Sequence, residues 1–198
     1  MGKEQLDVSK PLIIQVVGYK HTGKTTLVCK LVERWKSSSA RIATIKHDAH
    51  DFNIDREGTD TWRHRQAGAA AVVIASPHRI AVMRSEPQPV QRGTDSERRQ
   101  LDNLLAQLAD MDVVLVEGYK SAAYPKIVLI REHAHWCLLD TLTNVVAAVY
   151  WPEAELPVSE ANETDSSVLH IPLHEAAGPS MMDRLLAMHT SRDADDTE

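Results

Sequence analysis

Cysteine, aromatic side chains and long apolar runs are all scarce in this 198-residue chain. It has 2 cysteines, 1 phenylalanine among an aromatic share of 5%, and no unbroken apolar stretch near bilayer length. Two cysteines, Cys29 and Cys137, cannot build a disulfide framework. Each has apolar sequence neighbours, so buried free thiols in a reducing compartment are expected. Runs such as Val113-Val-Leu-Val116 fall far short of the roughly 20 residues that span a membrane. The first ten residues are polar and mixed in charge, so no secretory signal is expected. What is present is an ordinary globular composition, 43% hydrophobic and 25% charged, which excludes disorder over the whole chain.

Charge is unevenly spread. The net charge is −6. Residues 153–198 hold 11 acidic and 2 basic residues, a balance of −9, which leaves 17 acidic and 20 basic, a balance of +3, for residues 1–152. A mildly basic body suits small anionic ligands, and it lacks the dense basic stripe that long nucleic acid requires. Residues 10–190 read as one domain, and 191–198 as a solvated acidic tail.

Short β-rich runs alternate with helical patterns and no repeat is visible, which is the mark of a layered α/β sheet. Strands are predicted at Leu12–Val17, Arg41–Lys46, Ala71–Ser76, Ile80–Met83, Asp112–Val116, Lys126–Arg131, Val145–Val149 and Val168–Leu173. Helices are predicted at Thr25–Lys36, Thr59–Ala67, Asp95–Ala109 and Met181–His189. The first carries Leu27, Val28, Leu31, Val32 and Trp35 at helical spacing. Glu86–Gly93, with two prolines, reads as a linker.

Gly18-Tyr-Lys-His-Thr-Gly23-Lys24-Thr25 matches G-x-x-x-x-G-K-[ST] without a mismatch, between an apolar strand and an amphipathic helix. The two glycines let successive amides turn inward as an anion nest, and the helix start adds partial positive charge. Lys24 supplies an ammonium for β/γ-phosphates, the Thr25 hydroxyl a hard oxygen for Mg²⁺, and Thr26 a donor to the α-phosphate. A triphosphate site also needs an acid on a neighbouring strand. Asp112 and Glu117 bracket one apolar strand. Glu117 lies at its carboxyl end, where parallel sheets bind ligands, and is therefore the metal-side candidate. The expected architecture is a three-layer P-loop NTPase fold with a mostly parallel central sheet.

Beyond the second strand, residues 46–60 collect acids and histidines where a γ-phosphate-sensing segment would lie. Asp48, nearest the strand, is the candidate for ordering an attacking water; Asp51 and Asp55 are further candidates. His47-x-x-His50 lacks a third ligand at zinc spacing. Lys20 and His21 read either as phosphate contacts or as solvent-facing loop residues. Trp62, Arg63 and Arg65 could serve an anionic partner or simply pack and solvate their helix.

The phosphate loop with Thr26, Ile45-Lys-His-Asp48, Gly58-x-Asp60, Gln66-Ala-Gly-Ala69, Leu115-Val-Glu-Gly-Tyr-Lys120 and Pro125-Lys-Ile127 occur together and in order. Over residues 10–150 the chain resembles the molybdopterin-guanine dinucleotide biosynthesis adapter family, MobB. The resemblance implies a GTP-binding protein with weak GTPase activity and Mg²⁺, working as a homodimer. Its implied partner is the guanylyltransferase MobA, which joins GMP to molybdopterin in the cytoplasm. It also implies that Gly18, Tyr19, Lys20, His21, Thr22, Gly23, Lys24, Thr25 and Thr26 bind the nucleotide. Thr25 and Glu117 would stand on the Mg²⁺ side, with Lys24, Asp48 and Glu117 serving hydrolysis. The chain has no Asn-Lys-x-Asp guanine motif, so GTP rather than ATP is an implication of the resemblance. Two alternatives keep the same loop: a small-molecule kinase drawing on Arg92, Arg98 and Arg99, and a nickel metallochaperone GTPase.

Overall fold

The structure, a computed structural model, describes residues 10–48, 50–85, 93–156 and 168–195, with the side chains of 188–195 left aside. The described chain divides into two compact units. One ends at His47 and resumes at Gly93; the other is Asp48–Arg92.

The larger unit is built on six strands: β1 (Leu12–Gly18), β2 (Ile42–Lys46), β5 (Val113–Glu117), β6 (Lys126–Ile130), β7 (Val145–Tyr150) and β8 (Leu169–Pro172). Their spatial order is β2-β5-β1-β6-β7-β8, and every neighbouring pair is parallel. A parallel sheet is covered on both faces, so its strands are apolar on both sides. β5 and β6 are buried throughout. Alternation assigns each side chain to a face. Ile14, Val16, Val113, Leu115, Ile127 and Leu129 join one core with Leu27, Leu31 and Trp35 of α1 (Lys24–Lys36) and with Met181 and Leu185 of the C-terminal helix, Pro179–Asp195. On the opposite face, Val114 and Val116 meet Leu101 and Leu105 of α3 (Asp95–Ala106). There Val128 and Ile130 meet Trp136 and Leu138, which belong to a 3₁₀ turn, His133–Cys137, and to α4 (Leu138–Thr141). These two short elements escaped the sequence analysis, being too brief to show a period.

Two buried polar side chains fix loops. Gln15 of β1 donates its amide to Gly118 O (3.1 Å) and Tyr119 O (2.6 Å). Lys126 is fully buried, and its ammonium donates to Ala122 O, Tyr124 O and Thr143 O at 2.5, 3.1 and 2.9 Å. Burial lowers its pKa to about 8.

The Asp48–Arg92 unit holds α2 (Asp60–Gln66) and the antiparallel pair β3 (Ala71–Ser76) and β4 (Arg79–Arg84), joined by a Pro77-His78 turn. Asp55 Oδ1 accepts from the hydroxyls of Thr59 and Thr61 at 3.0 Å each, ahead of the helix. Val73, Ile74, Ile80 and Val82 of the hairpin are exposed, as are Phe52 and Ile54.

Two expectations are corrected. Both thiols are free and exposed, not buried. Cys29 lies on the side of α1 turned away from Leu27, Leu31 and Trp35, so its apolar sequence neighbours face the core without it. The C-terminal helix runs to Asp195, through the start of the segment read as a tail; residues 196–198 lie outside the described residues. Most of the Glu86–Gly93 linker lies outside them too.

Leu31 is fully buried between α1 and the sheet. Leu31→Ala should cost about 2–5 kcal/mol of unfolding free energy, from lost burial and the cavity left behind. Denaturant titration checks it, and a loss under about 1 kcal/mol would contradict the packing described.

Candidate functional site

The carboxyl edge of the sheet gathers the phosphate loop and its acid. In register, Val16 of β1 stands opposite Glu117 of β5, and Lys46 of β2 opposite Glu117 from the other side. Glu117 has the parity of Val113 and Leu115, so it points to the face that α1 covers. It therefore meets Thr25, the second residue of that helix: the Thr25 hydroxyl stands 3.0 Å from both Oε1 and Oε2 of Glu117. Lys46 Nζ lies 3.7 Å from Glu117 Oε1. A hydroxyl and a carboxylate are the hard oxygen donors that Mg²⁺ prefers, and this pair fits that ion.

The loop between β1 and α1 is tightly specified. A Cβ on Gly18 (φ 154°) would stand 2.9 Å from both Leu129 O and Thr22 Oγ1, so no side chain fits there. Gly23, at the helix start with φ 94°, adopts the left-handed conformation that glycine tolerates. Inside the loop, Thr22 Oγ1 donates to Tyr19 O (3.0 Å). Lys24 Nζ donates to Tyr19 O (2.6 Å) and lies 3.4 Å from Gly18 O. Burial holds the Lys24 ammonium below the ordinary lysine range; Glu117 opposes that shift, and Lys120 and Lys46 add to it. An anion beside three lysines would relieve their mutual repulsion. The thirteen-residue α1 has no acid in its first turn and basic Arg34 and Lys36 in its last, which leaves its N-terminal partial charge unopposed for an anion.

Residues that the sequence analysis did not assign brace this loop. Arg131 Nη1 donates to His21 O (2.5 Å), and its guanidinium carbon stands 5.1 Å from the centre of the Trp151 ring. Trp151 donates its indole N–H to Thr22 O (2.9 Å). The two flank an open pocket of about 260 Å³, bordered also by Glu132 and Glu153. Lys120, in the loop after β5, holds its ammonium 4.8 Å from the centre of the Tyr19 ring, and burial lowers its pKa. Tyr19 also lies against His135, with ring centres 4.6 Å apart. The signal available for Lys120 was its place three residues past Glu117. Arg131 and Trp151 follow β6 and β7, and only the strand order shows that these ends adjoin the loop.

The structure thus brings together Gly18, Tyr19, Thr22, Gly23, Lys24, Thr25 and Glu117. Lys20 is exposed, as are the side chains of His21 and Thr26. Asp112, at the far end of β5, accepts the Arg41 amide (2.6 Å) and belongs to the opposite edge. Asp48 belongs to the other unit, where its Oδ1 accepts the His50 amide (3.2 Å). Asp51 and Asp55 are there too, and Asp55 is already engaged by Thr59 and Thr61. Arg98 pairs with Asp95 on an exposed face of α3; Arg92 lies outside the described residues.

A parallel sheet with this loop at its carboxyl edge, and a strand-end acid bonded to the loop's threonine, defines a P-loop nucleotide-binding protein. The family model described as MobB, molybdopterin guanine dinucleotide synthesis protein B, matches residues 13–151, and the chain belongs to that family. A molybdopterin-guanine dinucleotide biosynthesis adapter protein of Haemophilus influenzae is 38% identical over 152 residues, covering 76% of this chain and 82% of the relative. The crystal structure of a MobB homologue from Bacillus stearothermophilus aligns with a TM-score of 0.63 at 29% identity, over 89% of this chain and 99% of that one. The hydrogenase maturation factor HypB of Archaeoglobus fulgidus, at 12% identity and a TM-score of 0.50, covers 92% of each chain and shares the fold.

Lys24→Ala removes a charge-assisted contact worth about 1.5–3 kcal/mol, so triphosphate affinity should fall roughly 10- to 100-fold. Calorimetric titration measures it, and unchanged affinity would reject the assignment of Lys24. Glu117→Gln should shrink the gain in affinity that Mg²⁺ gives while leaving Mg²⁺-free binding near its original level. The same titration with and without EDTA reads this, and an undiminished Mg²⁺ gain would place the metal elsewhere.

Proposed function

We propose that this chain is a GTP-binding adapter for the guanylylation step of molybdenum-cofactor synthesis, with slow GTPase activity. In this reading it acts in the cytoplasm alongside the guanylyltransferase MobA. The observation that carries the proposal is the Thr25–Glu117 pair beside Lys24, in a chain of the MobB family. The relatives act as adapters in molybdopterin-guanine dinucleotide biosynthesis, and the same role is proposed for this chain. Residues Gly18–Thr26 hold the triphosphate, Lys24 the β/γ-phosphates, and Thr25 with Glu117 the magnesium. Bound there, the ion would supply positive charge against the phosphate oxygens.

Arg131, Trp151, Lys46 and Lys120 suit the binding of a triphosphate. The first two brace the backbone of the loop, while the two lysines add charge next to Lys24. A second copy of the chain is the proposed occupant of the exposed hairpin face that carries Val73, Ile80 and Val82. An apolar strand face of this kind, open to water, is characteristic of an interaction surface. Among the described residues no helix is long and apolar enough to cross a membrane.

The test combines nucleotide preference with partner dependence. GTP and ATP are titrated in competition with Mg²⁺, and phosphate release is followed with and without MobA. GTP preferred over ATP, slow release and a measurable complex with MobA are expected. Rapid ATP-dependent transfer to a small acceptor, without affinity for MobA, would overturn the adapter reading.

A further inference from the structure

Glu97 sits in the first turn of α3 and is only 4% exposed. Thr94-Asp-Ser-Glu97 is written like a capping box, in which the glutamate satisfies amides at its own helix start. A cap alone needs no burial and no outside partners. Here one oxygen of Glu97 accepts the Gly93 amide (2.5 Å) and the Ser121 hydroxyl (2.8 Å), and the other stands 3.4 Å from His47 Nδ1. His47 and Gly93 are the residues that bracket the Asp48–Arg92 unit. A single buried carboxylate thus touches both of that unit's roots.

The His47 contact leads back to the phosphate site. His47 N donates to Glu117 O (2.9 Å), one residue beyond the last β2–β5 pair. A Cβ on Gly118 would stand 3.0 Å from His47 Cβ, so glycine there lets the two segments close up. The His47 ring stacks on Tyr119 at 4.4 Å and 19°. Tyr119 donates its hydroxyl to Gln100 Oε1 (2.8 Å), one turn along α3 from Glu97. Burial, with the Glu97 carboxylate adding to it, pushes the Tyr119 pKa up to about 12. Lys120 then reaches the Tyr19 ring of the phosphate loop. The contacts are contiguous from the loop to the two roots, as coupling between sites requires.

We propose that Glu97 is a positioning residue that clasps His47, Gly93 and the 118–121 loop together, so that nucleotide at the phosphate loop tightens both roots of the Asp48–Arg92 unit at once. The ligand whose arrival it transmits is a nucleoside triphosphate with magnesium, and that part rests on the function proposed above.

Hydrogen exchange by mass spectrometry on the full chain tests it, in wild type, Glu97→Ala and Glu97→Gln, each with and without Mg²⁺ and a non-hydrolysable GTP analogue. Affinity is measured by calorimetry on the same samples. Without nucleotide, Glu97→Ala should speed exchange at least tenfold in peptides that contain the His47 amide and in peptides that contain the Gly93 amide, together. Glu97→Gln keeps an oxygen for the Gly93 amide and loses the charge facing His47, so only the His47 side should loosen. With nucleotide, wild type should gain protection at both roots. Glu97→Ala should lose that gain while binding within about threefold of wild type. Loosening confined to the Gly93 side would reduce Glu97 to a helix cap and overturn the proposal. So would an intact nucleotide response in Glu97→Ala, or a wild-type response at one root only. If no nucleotide binds, the functional reading falls, and the nucleotide-free comparison still decides the clasp. Should Glu97→Ala fail to fold, Glu97→Gln alone decides: equal loosening at both roots, or at neither, contradicts it.

Discussion

The parallel pairing of β1 with β5 is the constraint on which the site depends. Its register sets Val16 opposite Glu117 and ends β1 at Gly18. One acid and one glycine hairpin therefore emerge side by side at the carboxyl edge of the sheet. A shift of a single residue would turn Glu117 to the other face, away from Thr25 and towards α3. The apolar side chains of β5, buried on both faces, oppose such a slip, since it would move Val114 and Val116 into packing shaped for Val113 and Leu115. The core holds the geometry of the charged groups, and the charged groups add little to the core.

Around that pair the protein keeps positive charge close to the phosphate loop. Lys24 is folded onto the carbonyls of its own loop, while Lys46 and Lys120 act on it from two neighbouring segments. Crowded ammonium groups with one carboxylate among them make a poor resting state and a good receptor for a polyanion. Trp151 and Arg131 brace the loop by donating to the carbonyls of Thr22 and His21.

Much of this was legible in the sequence, for physical reasons that differ from residue to residue. Gly18, Gly23, Lys24 and Thr25 are legible because an anion nest is a local structure, specified by consecutive residues. Glu117 is legible because an acid ending a buried strand has one edge of the sheet to occupy. The α1 and α3 faces follow from helical spacing, and the hairpin turn from Pro77-His78. Other features depend on strand order, which no local pattern carries. Arg131 and Trp151 reach the loop only because β6 and β7 lie beyond β1 in the sheet. Glu97 reads as a capping residue until α3 is placed against the 118–121 loop. Cys29 was misjudged because apolar neighbours in sequence occupy a different side of a helix. The Asp48–Arg92 unit is set apart by the pairing of otherwise ordinary elements, which no local pattern carries.

A crystal structure of the chain with Mg²⁺ and a non-hydrolysable triphosphate tests the central claim most directly. Lys24 Nζ is expected to leave Tyr19 O for a phosphate oxygen, with the metal beside the Thr25 hydroxyl and Glu117 and the triphosphate inside the turn from Gly18 to Thr26. A triphosphate bound elsewhere, or Lys24 still bonded to Tyr19 O beneath it, would contradict the account.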